Sequence, residues 1–199
     1  MIFVNFQRSE FVCKEIKYTL TMNAVKIIEK YYEKNSKLYN ILIRHSIKVR
    51  DKALKIIDNH PELNADRQFV KEASMLHDIG IFMTNAPDIE CFGTHEYIEH
   101  GYLGSEIVRR EGYPLHALVC ERHTGVGLTL EWIVKNKLPV PYRDMMPLSI
   151  EEQIICYADK FYSKTKFDKE HSVEKILKKL SKYDADRAKD FLEWHKRFG

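Results

Sequence analysis

The sequence predicts an all-α domain. Apolar residues recur at helical spacing over almost the whole chain, whereas the alternation typical of strands hardly occurs outside residues 2–6. Capping residues, glycines and prolines divide this pattern into segments of ordinary helix length. A chain of 199 residues can bury one sizeable core without help from disulfides. We therefore expect a single helical bundle.

The first half of the chain has the clearest helical pattern. Residues 22–35 look like the start of the domain, and residues 1–21 precede them as an N-terminal extension that is short and strand-like or irregular. Ser36 has the chemistry of an N-cap for a long helix that carries His45 on its apolar side and ends near residues 59–61. A second helix is predicted over about residues 66–78, with Gly80 as its stop.

The second half is predicted to contain shorter helices. Residues 82–94 show no period and are expected to form a loop or lid. Helices follow near residues 99–111, from Pro114 onward, and near residues 130–135, before a proline-rich crossing at 138–147. Ser149 and Glu152 predict a capping box at the start of the helix that carries Asp159. Helices near 172–181 and 185–196 complete a domain of residues 22–199, with a core at 36–164 and packing helices at 170–199.

Composition narrows the classes of function. The four cysteines lie far apart, which argues against a zinc ribbon or a redox pair. No apolar run is long enough for a membrane span and no signal peptide is evident, so a cytoplasmic protein without membrane partners is expected. A net charge of +3 makes nucleic acid an unlikely partner, and the lysine-rich stretch at 175–182 is interpreted as a solvated helix face. A homodimer stays open.

Six residues with metal-binding side chains stand out in the sequence. They are His45, His77, Asp78, His100, His123 and Asp159. His45, His77 and Asp159 lie within or against apolar helical stripes, where a carboxylate without a compensating charge costs several kcal/mol. A metal ion would provide that charge, although Lys160 is an alternative source. Because Asp78 has two oxygens, it can join one group of His45, His77 and Asp159 to a second group of His100 and His123.

The ordered set resembles the HD-domain superfamily, in its subgroup with the HDIG signature. The resemblance covers residues 36–164, and the HTG segment at 123–125 and the YADK run at 157–160 are similar to small stand-alone bacterial and archaeal phosphohydrolases. It implies a helical domain with the metal site at its centre, and two ions where the histidines equivalent to His100 and His123 are present. Ile81 replaces the lysine usual in the signalling phosphodiesterases and their GYP run is missing, so a cyclic dinucleotide is disfavoured.

These features predict a metal-dependent phosphohydrolase. Two divalent transition-metal ions, Fe or Mn first and Ni, Co or Zn next, suit ligands rich in imidazole and carboxylate. A metal-bound hydroxide would hydrolyse a phosphomonoester, phosphodiester or anhydride of a small nucleotide-like substrate, with Asp78 at the catalytic centre. Candidates for contacting the substrate phosphate are Lys160, Arg122, Thr124 and Arg143.

Two other functions fit the same residues. Some members of the superfamily use this ligand arrangement as a mixed-valence di-iron oxygenase, and a non-catalytic regulatory module would retain the metal without turnover. The histidine ligands also need partners for their second ring nitrogens. Glu72, Glu96, Glu99 and Glu121 are candidates that the sequence cannot separate.

Overall fold

The computed structural model describes residues 22–166, 169–182 and 185–199, and it confirms the all-α prediction. The helices of these ranges are α1 (Ala24–Ile28), α2 (Lys37–Asn59), α3 (Arg67–Leu76), α4 (His100–Arg110), α5 (Pro114–Arg122), α6 (Leu130–Asn136), α7 (Ile150–Asp159), α8 (Val173–Leu180) and α9 (Ala185–Phe198). The extension at 1–21, with its strand-like residues 2–6, lies outside the described residues. No helix in the described ranges has both the length and the apolar character needed to cross a membrane.

Helix α2 is the longest element and packs against α3 and α7. Ser36 caps it as expected, since its hydroxyl accepts a hydrogen bond from the Tyr39 amide at 3.1 Å. Its buried face includes Leu42, Val49 and Ala53, and His45 lies on the same face. Apolar residues at helical spacing thus place a histidine in the interior of the bundle.

The two C-terminal helices pack against each other, and α9 also packs against α7. Phe191 of α9 is fully buried, and its ring stacks on Tyr157 of α7 with centroids 5.1 Å apart. The Tyr157 hydroxyl lies 2.8 Å from His195 Nδ1. Ile176 and Leu180 of α8 join the same core, so α8 and α9 cover the back of the helix that ends at Asp159.

The segment between α3 and α4, predicted as a loop or lid over residues 82–94, contains regular secondary structure. A 3-10 turn at Ile79–Met83 leads into a small antiparallel hairpin of β1 (Asn85–Ala86) and β2 (Cys91–Phe92). Ile89 and Cys91 are buried within it. The sequence did not predict this hairpin because strands of two residues leave no detectable alternation.

Gly80 has a different role from the predicted helix stop. Helix α3 ends at Leu76 with His77 as its C-cap, and Gly80 is not among the described glycines with positive φ. A Cβ atom at Gly80 would clash with the His100 carbonyl and would lie 2.5 Å from the Gly104 amide nitrogen. Glycine is therefore required because the backbone after Asp78 touches the first turn of α4, which brings His100 close to Asp78.

The predicted capping box at α7 is only half formed. Ser149 accepts from the Glu152 amide at 3.2 Å, but the Glu152 carboxylate accepts from the Leu148 amide at 2.9 Å instead of from Ser149. That carboxylate also pairs with Arg122. A reciprocal box is found instead before α4, where Glu96 and Glu99 cap each other's backbone.

Candidate metal centre

The six metal-type residues meet at the centre of the bundle, and five of them lie at or just beyond a helix end. His45 comes from the middle of α2, His77 is the C-cap of α3, Asp78 follows it, His100 is the first residue of α4, His123 is the C-cap of α5 and Asp159 is the last residue of α7. All six are buried. Several helices can meet at one point only with their ends, so residues at the helix ends bring their side chains together there.

The first ligand group consists of His45, His77, Asp78 and Asp159, whose ligand atoms all lie within 4.8 Å of one another. Asp78 Oδ2 is 3.1 Å from His45 Nε2 and also 3.1 Å from His77 Nε2. Asp159 Oδ1 is 2.9 Å from His45 Nε2 and 3.5 Å from His77 Nε2. Two imidazoles and two carboxylates thus face one point.

The second ligand group uses the other oxygen of Asp78. Asp78 Oδ1 is 3.4 Å from His100 Nε2 and 3.3 Å from His123 Nε2, and the two imidazole nitrogens are 3.0 Å apart. These three ligand atoms also lie within 4.8 Å of one another. Asp78 therefore belongs to both groups, one through each oxygen.

Backbone carbonyls orient three of the four histidines. His77 Nδ1 lies 2.7 Å from the Ser74 carbonyl, His100 Nδ1 lies 2.6 Å from that of Tyr97, and His123 Nδ1 lies 2.7 Å from that of Cys120. A carbonyl can only accept, so each Nδ1 carries a proton and each Nε2 is the ring nitrogen left for the centre. This is the tautomer that metal ligation requires.

The four glutamates that were candidates for this orienting role have other partners. Glu72 lies 3.3 Å from His116 Nε2, Glu99 lies 3.0 Å from His95 Nδ1, Glu96 serves the capping box and Glu121 pairs with Arg143. The sequence could not reveal the carbonyls because every residue has one. The only signal in the sequence was that His77, His100 and His123 each lie near a helix end, where the carbonyl three residues earlier is free to accept a hydrogen bond.

The residues present fit divalent cations. Among the described residues, no hydrogen bond of acceptable geometry reaches His77 Nε2 or Asp78 Oδ1, and His45 Nδ1 also lacks a partner. Buried polar atoms are normally paired, and leaving them unpaired costs about 1–3 kcal/mol each. Imidazole nitrogens and carboxylate oxygens aimed at common points are the donor set of a transition-metal site.

The electrostatics differ between the two groups. Burial opposes ionisation of Asp78, yet His77 and Lys164 outweigh it and hold the pKa of this carboxyl well below its usual range. Despite its burial, His77 has a pKa raised to about 9 by Asp78 and Asp159. Burial and the neighbouring His123 lower the pKa of His100 to about 3. The first group therefore favours positive charge, whereas the second offers neutral imidazoles.

Two lysines face the carboxylates of the centre. Lys160 Nζ lies 2.8 Å from Asp159 Oδ2 and donates to the His123 carbonyl at 3.1 Å. Lys164 Nζ lies 2.6 Å from Asp78 Oδ2. Lys160 was among the predicted residues, but Lys164 was missed, because a lysine in the irregular segment after α7 gives no hint of where its side chain ends.

The other three predicted substrate contacts have close neighbours within the protein. Both Nη1 contacts of Arg122 are with Glu152, at 3.0 and 3.1 Å, and Arg143 Nε contacts Glu121 at 2.7 Å. Thr124 is buried, and its hydroxyl oxygen would be only 2.7 Å from a Cβ atom at Gly101. These three side chains support the arrangement of α4, α5 and α7, and their contact with a substrate stays a prediction.

Comparison with known proteins gives a family match and several relatives. The family model of the HD domain matches residues 42–163. An uncharacterized protein of Methanocaldococcus jannaschii is 31% identical over 144 residues, which cover 71% of this chain and 76% of that protein. No solved structure matches significantly.

Two further relatives are named tRNA (cytidine(56)-2'-O)-methyltransferases. The protein of Picrophilus torridus is 34% identical over 125 residues, and that of Thermoplasma volcanium is 32% identical over 123 residues. The matches cover 62% and 61% of this chain but only 32% of each methyltransferase. The similarity thus concerns about a third of those longer proteins.

Proposed function

The chain belongs to the HD-domain family, and we propose that it is a metal-dependent phosphohydrolase acting on a small nucleotide-like ester or anhydride. One observation carries the proposal: Asp78 presents one oxygen to His45 and His77 and the other to His100 and His123. A carboxylate between two ligand groups suits a pair of ions better than one ion.

The ligands that would hold the ions are the six residues of the centre. When bound, two divalent ions lower the pKa of water and neutralise phosphate oxygens, which is the chemistry that hydrolysis of a phosphate ester needs. The protein contributes a fixed arrangement: the carbonyls of Ser74, Tyr97 and Cys120 hold three imidazoles in one tautomer and direction. Side chains that are already oriented lose little entropy when the site is used.

The charge of the centre supports an anionic substrate. The carboxylates of Asp78 and Asp159 cannot balance two divalent ions together with the ammonium groups of Lys160 and Lys164. A phosphate group would supply the missing negative charge, and lysines are common phosphate-binding residues. Lys160 is also held by the His123 carbonyl, so its ammonium stays beside the second ligand group.

Turnover on a substrate panel tests the proposal. Protein stripped of metal and reloaded with Mn²⁺ or Fe²⁺ should release phosphate from at least one nucleoside mono-, di- or triphosphate or cleave a phosphodiester. The Asp78→Asn variant should lose at least about 10³-fold of that activity, whereas His116→Ala, on α5 beside Glu72 and outside the centre, should retain it. Activity that persists in Asp78→Asn would contradict the assignment.

The named relatives extend the panel toward RNA. Their names describe methyl transfer to tRNA, but the chain matches only a third of their length, so methyl transfer is not proposed for this chain. An RNA-derived phosphate, such as a 2',3'-cyclic nucleotide or a short oligonucleotide end, is a reasonable second substrate class. Cleavage of these compounds without cleavage of free nucleotides would favour it.

Oxygen activation is the competing chemistry for the same ligands. It requires iron and consumes dioxygen, whereas hydrolysis does neither. Equal phosphate release in anaerobic buffer with Mn²⁺ would support hydrolysis. Substrate-dependent oxygen uptake by the iron-loaded protein, with no hydrolysis, would favour the oxygenase.

A further inference from the structure

Lys164 occupies an unusual position for a lysine. It lies beyond the end of α7, yet its side chain is only 13% exposed and its ammonium is 2.6 Å from Asp78 Oδ2. The same oxygen is 3.1 Å from Nε2 of both His45 and His77. The ammonium therefore binds the carboxylate oxygen that the first ligand group would offer to a metal ion.

A divalent ion and this ammonium would compete for one oxygen. Both are cations, and at the low effective dielectric of a buried site they repel each other strongly at contact distance. The two cations therefore exclude each other from Asp78 Oδ2. Lys160 and a metal ion would not compete for the same oxygen. Lys160 pairs with Asp159 Oδ2, whereas Asp159 Oδ1 faces the histidines.

We propose that Lys164 is an exchangeable counter-cation of Asp78: a divalent ion displaces its ammonium from Oδ2, and the released ammonium then binds the anionic substrate. The displacement of Lys164 by the ion concerns metal binding alone. The binding of the released ammonium to an anionic substrate rests on the proposed function. Lysine suits the exchange because its charge is a point at the end of a flexible four-carbon stem.

Among the described residues, the anion nearest to Lys164 after Asp78 is Asp159, which is already paired with Lys160. Its Nζ is 5.8 Å from the centroid of the Tyr97 ring, which stacks on His100 with centroids 4.7 Å apart. Lys160 already holds the outer oxygen of Asp159. Burial and the charges of Lys160 and Lys164 also lower the pKa of Lys179 on α8, so positive charge accumulates on this side. A phosphate entering here would meet the Lys164 ammonium beside the Tyr97 side chain.

Thermal unfolding separates exchange from permanent pairing. Metal-stripped Lys164→Met should melt at least about 5 °C below the wild type, since Asp78 loses its buried counter-charge. With saturating Mn²⁺ the deficit should vanish or reverse, because the ion takes over that role. Lys166→Met, an exposed lysine of the same segment, should match the wild type in both conditions. An equal deficit with and without Mn²⁺ would overturn the exchange, and so would no deficit in either condition.

Calorimetric titration gives a second test that does not depend on turnover. Mn²⁺ should bind metal-stripped Lys164→Met at least about tenfold more tightly than the wild type, because no resident cation has to leave. Lys164→Arg, which retains the charge, should not show this gain. Unchanged or weaker binding in Lys164→Met would contradict the exchange.

Binding of inorganic phosphate tests the second half. Mn²⁺-loaded Lys164→Met should bind phosphate about tenfold or more weakly than the loaded wild type, and Lys166→Met should bind it normally. Normal phosphate affinity in Lys164→Met would overturn the substrate role. Because this measures binding, a failure here differs from a failure of the proposed hydrolysis, which would appear as absent turnover with phosphate binding intact.

Discussion

Asp78 joins the two ligand groups through its two carboxylate oxygens, and no other residue of the centre belongs to both. Its Oδ1 faces His100 and His123, and its Oδ2 faces His45 and His77. Without Asp78, the first group has a single carboxylate to balance a divalent ion, and the second group has only two histidines and no negative charge. Loss of this single carboxylate should thus weaken the binding of both ions.

The Asp78→Asn variant is therefore expected to lose both ions. An amide is neutral and has one oxygen, so it cannot bridge, and transition-metal affinity should fall by at least about 10²-fold. Metal content after loading with Mn²⁺ and desalting, measured by mass spectrometry, should fall to near zero per chain. The control is Asp88→Asn, an exposed aspartate of the segment between α3 and α4, which should keep the metal content of the wild type.

Substitution in the second group should remove one ion only. His100→Ala or His123→Ala leaves His45, His77, Asp78 and Asp159 intact, so about half of the bound metal should remain. His116→Ala is the matched control, since His116 lies on α5 beside Glu72 and outside the centre. Full retention of metal in both His100→Ala and His123→Ala would show that these histidines bind nothing.

At the residue scale, chemistry could be predicted from the sequence better than geometry. The apolar stripes around His45, His77 and Asp159 indicated a compensating cation, and the order of all six residues indicated the resemblance to the HD-domain superfamily. The structure brings the six side chains together in two groups that could hold metal ions. Lys160 lies beside Asp159, but Arg122 and Arg143 pair with glutamates. A cationic side chain is long enough to reach several partners, so its neighbour in sequence does not determine its partner in space. Lys164 escaped notice for that reason.

Helix ends are the elements that build the centre, and close backbone packing holds two of them in place. The 3-10 turn at Ile79–Met83 touches α4 at Gly80 and Gly104, while Gly101 of α4 lies against Thr124 and the Cys120 carbonyl. These approaches set the distance between Asp78, His100 and His123. The geometry of the second ligand group thus depends on glycines that allow close backbone packing and are not themselves metal ligands.

Replacing Gly80 with alanine should damage the second group through the backbone. The added methyl group would clash with the His100 carbonyl and the Gly104 amide, so α4 must shift. We expect a loss of about 1–3 kcal/mol in the free energy of unfolding, together with loss of one ion per chain. Chemical denaturation and metal analysis measure the two effects.

Gly112→Ala provides the contrast. Gly112 has a φ of 91° and nothing within 4 Å of an added Cβ atom. Alanine there should lower stability through backbone strain but leave both ions bound. Equal metal loss in the two variants would mean that general destabilisation, rather than the position of α4, controls the second group.

At the element scale, the long periodic helices were predictable and the irregular segment was not. Repeated apolar positions indicate α2, α3 and α7 directly, and Ser36 and Ser149 supply recognisable caps. The hairpin of β1 and β2 depends on tertiary packing around Ile89 and Cys91, which no local pattern encodes. The role of Gly80 also depends on a contact with a helix twenty residues later.

At the scale of the whole molecule, the centre ties distant parts of the chain together. The first ligand group joins α2, the end of α3 and α7, and the second joins the end of α3, α4 and α5, so ions in the two groups would together cross-link most of the bundle. The unfolded chain has no such arrangement. Metal binding should therefore stabilise the fold by mass action.

Thermal melting should show this linkage. At a free Mn²⁺ concentration of 100 times the dissociation constant, binding should add about 2.7 kcal/mol per site to the free energy of unfolding. For a chain of this size the midpoint should rise by about 5–10 °C per site and fall again with a chelator. Asp78→Asn should show little response, and a wild-type midpoint insensitive to metal and chelator would contradict the cross-link.

The number of ions per chain tests the shared-carboxylate account most directly. Anomalous diffraction at the manganese edge from crystals of the Mn²⁺-loaded protein should show two peaks on opposite sides of Asp78, one with His45, His77 and Asp159 and one with His100 and His123. A single peak in the first group, with His100 and His123 binding no ion, would contradict it.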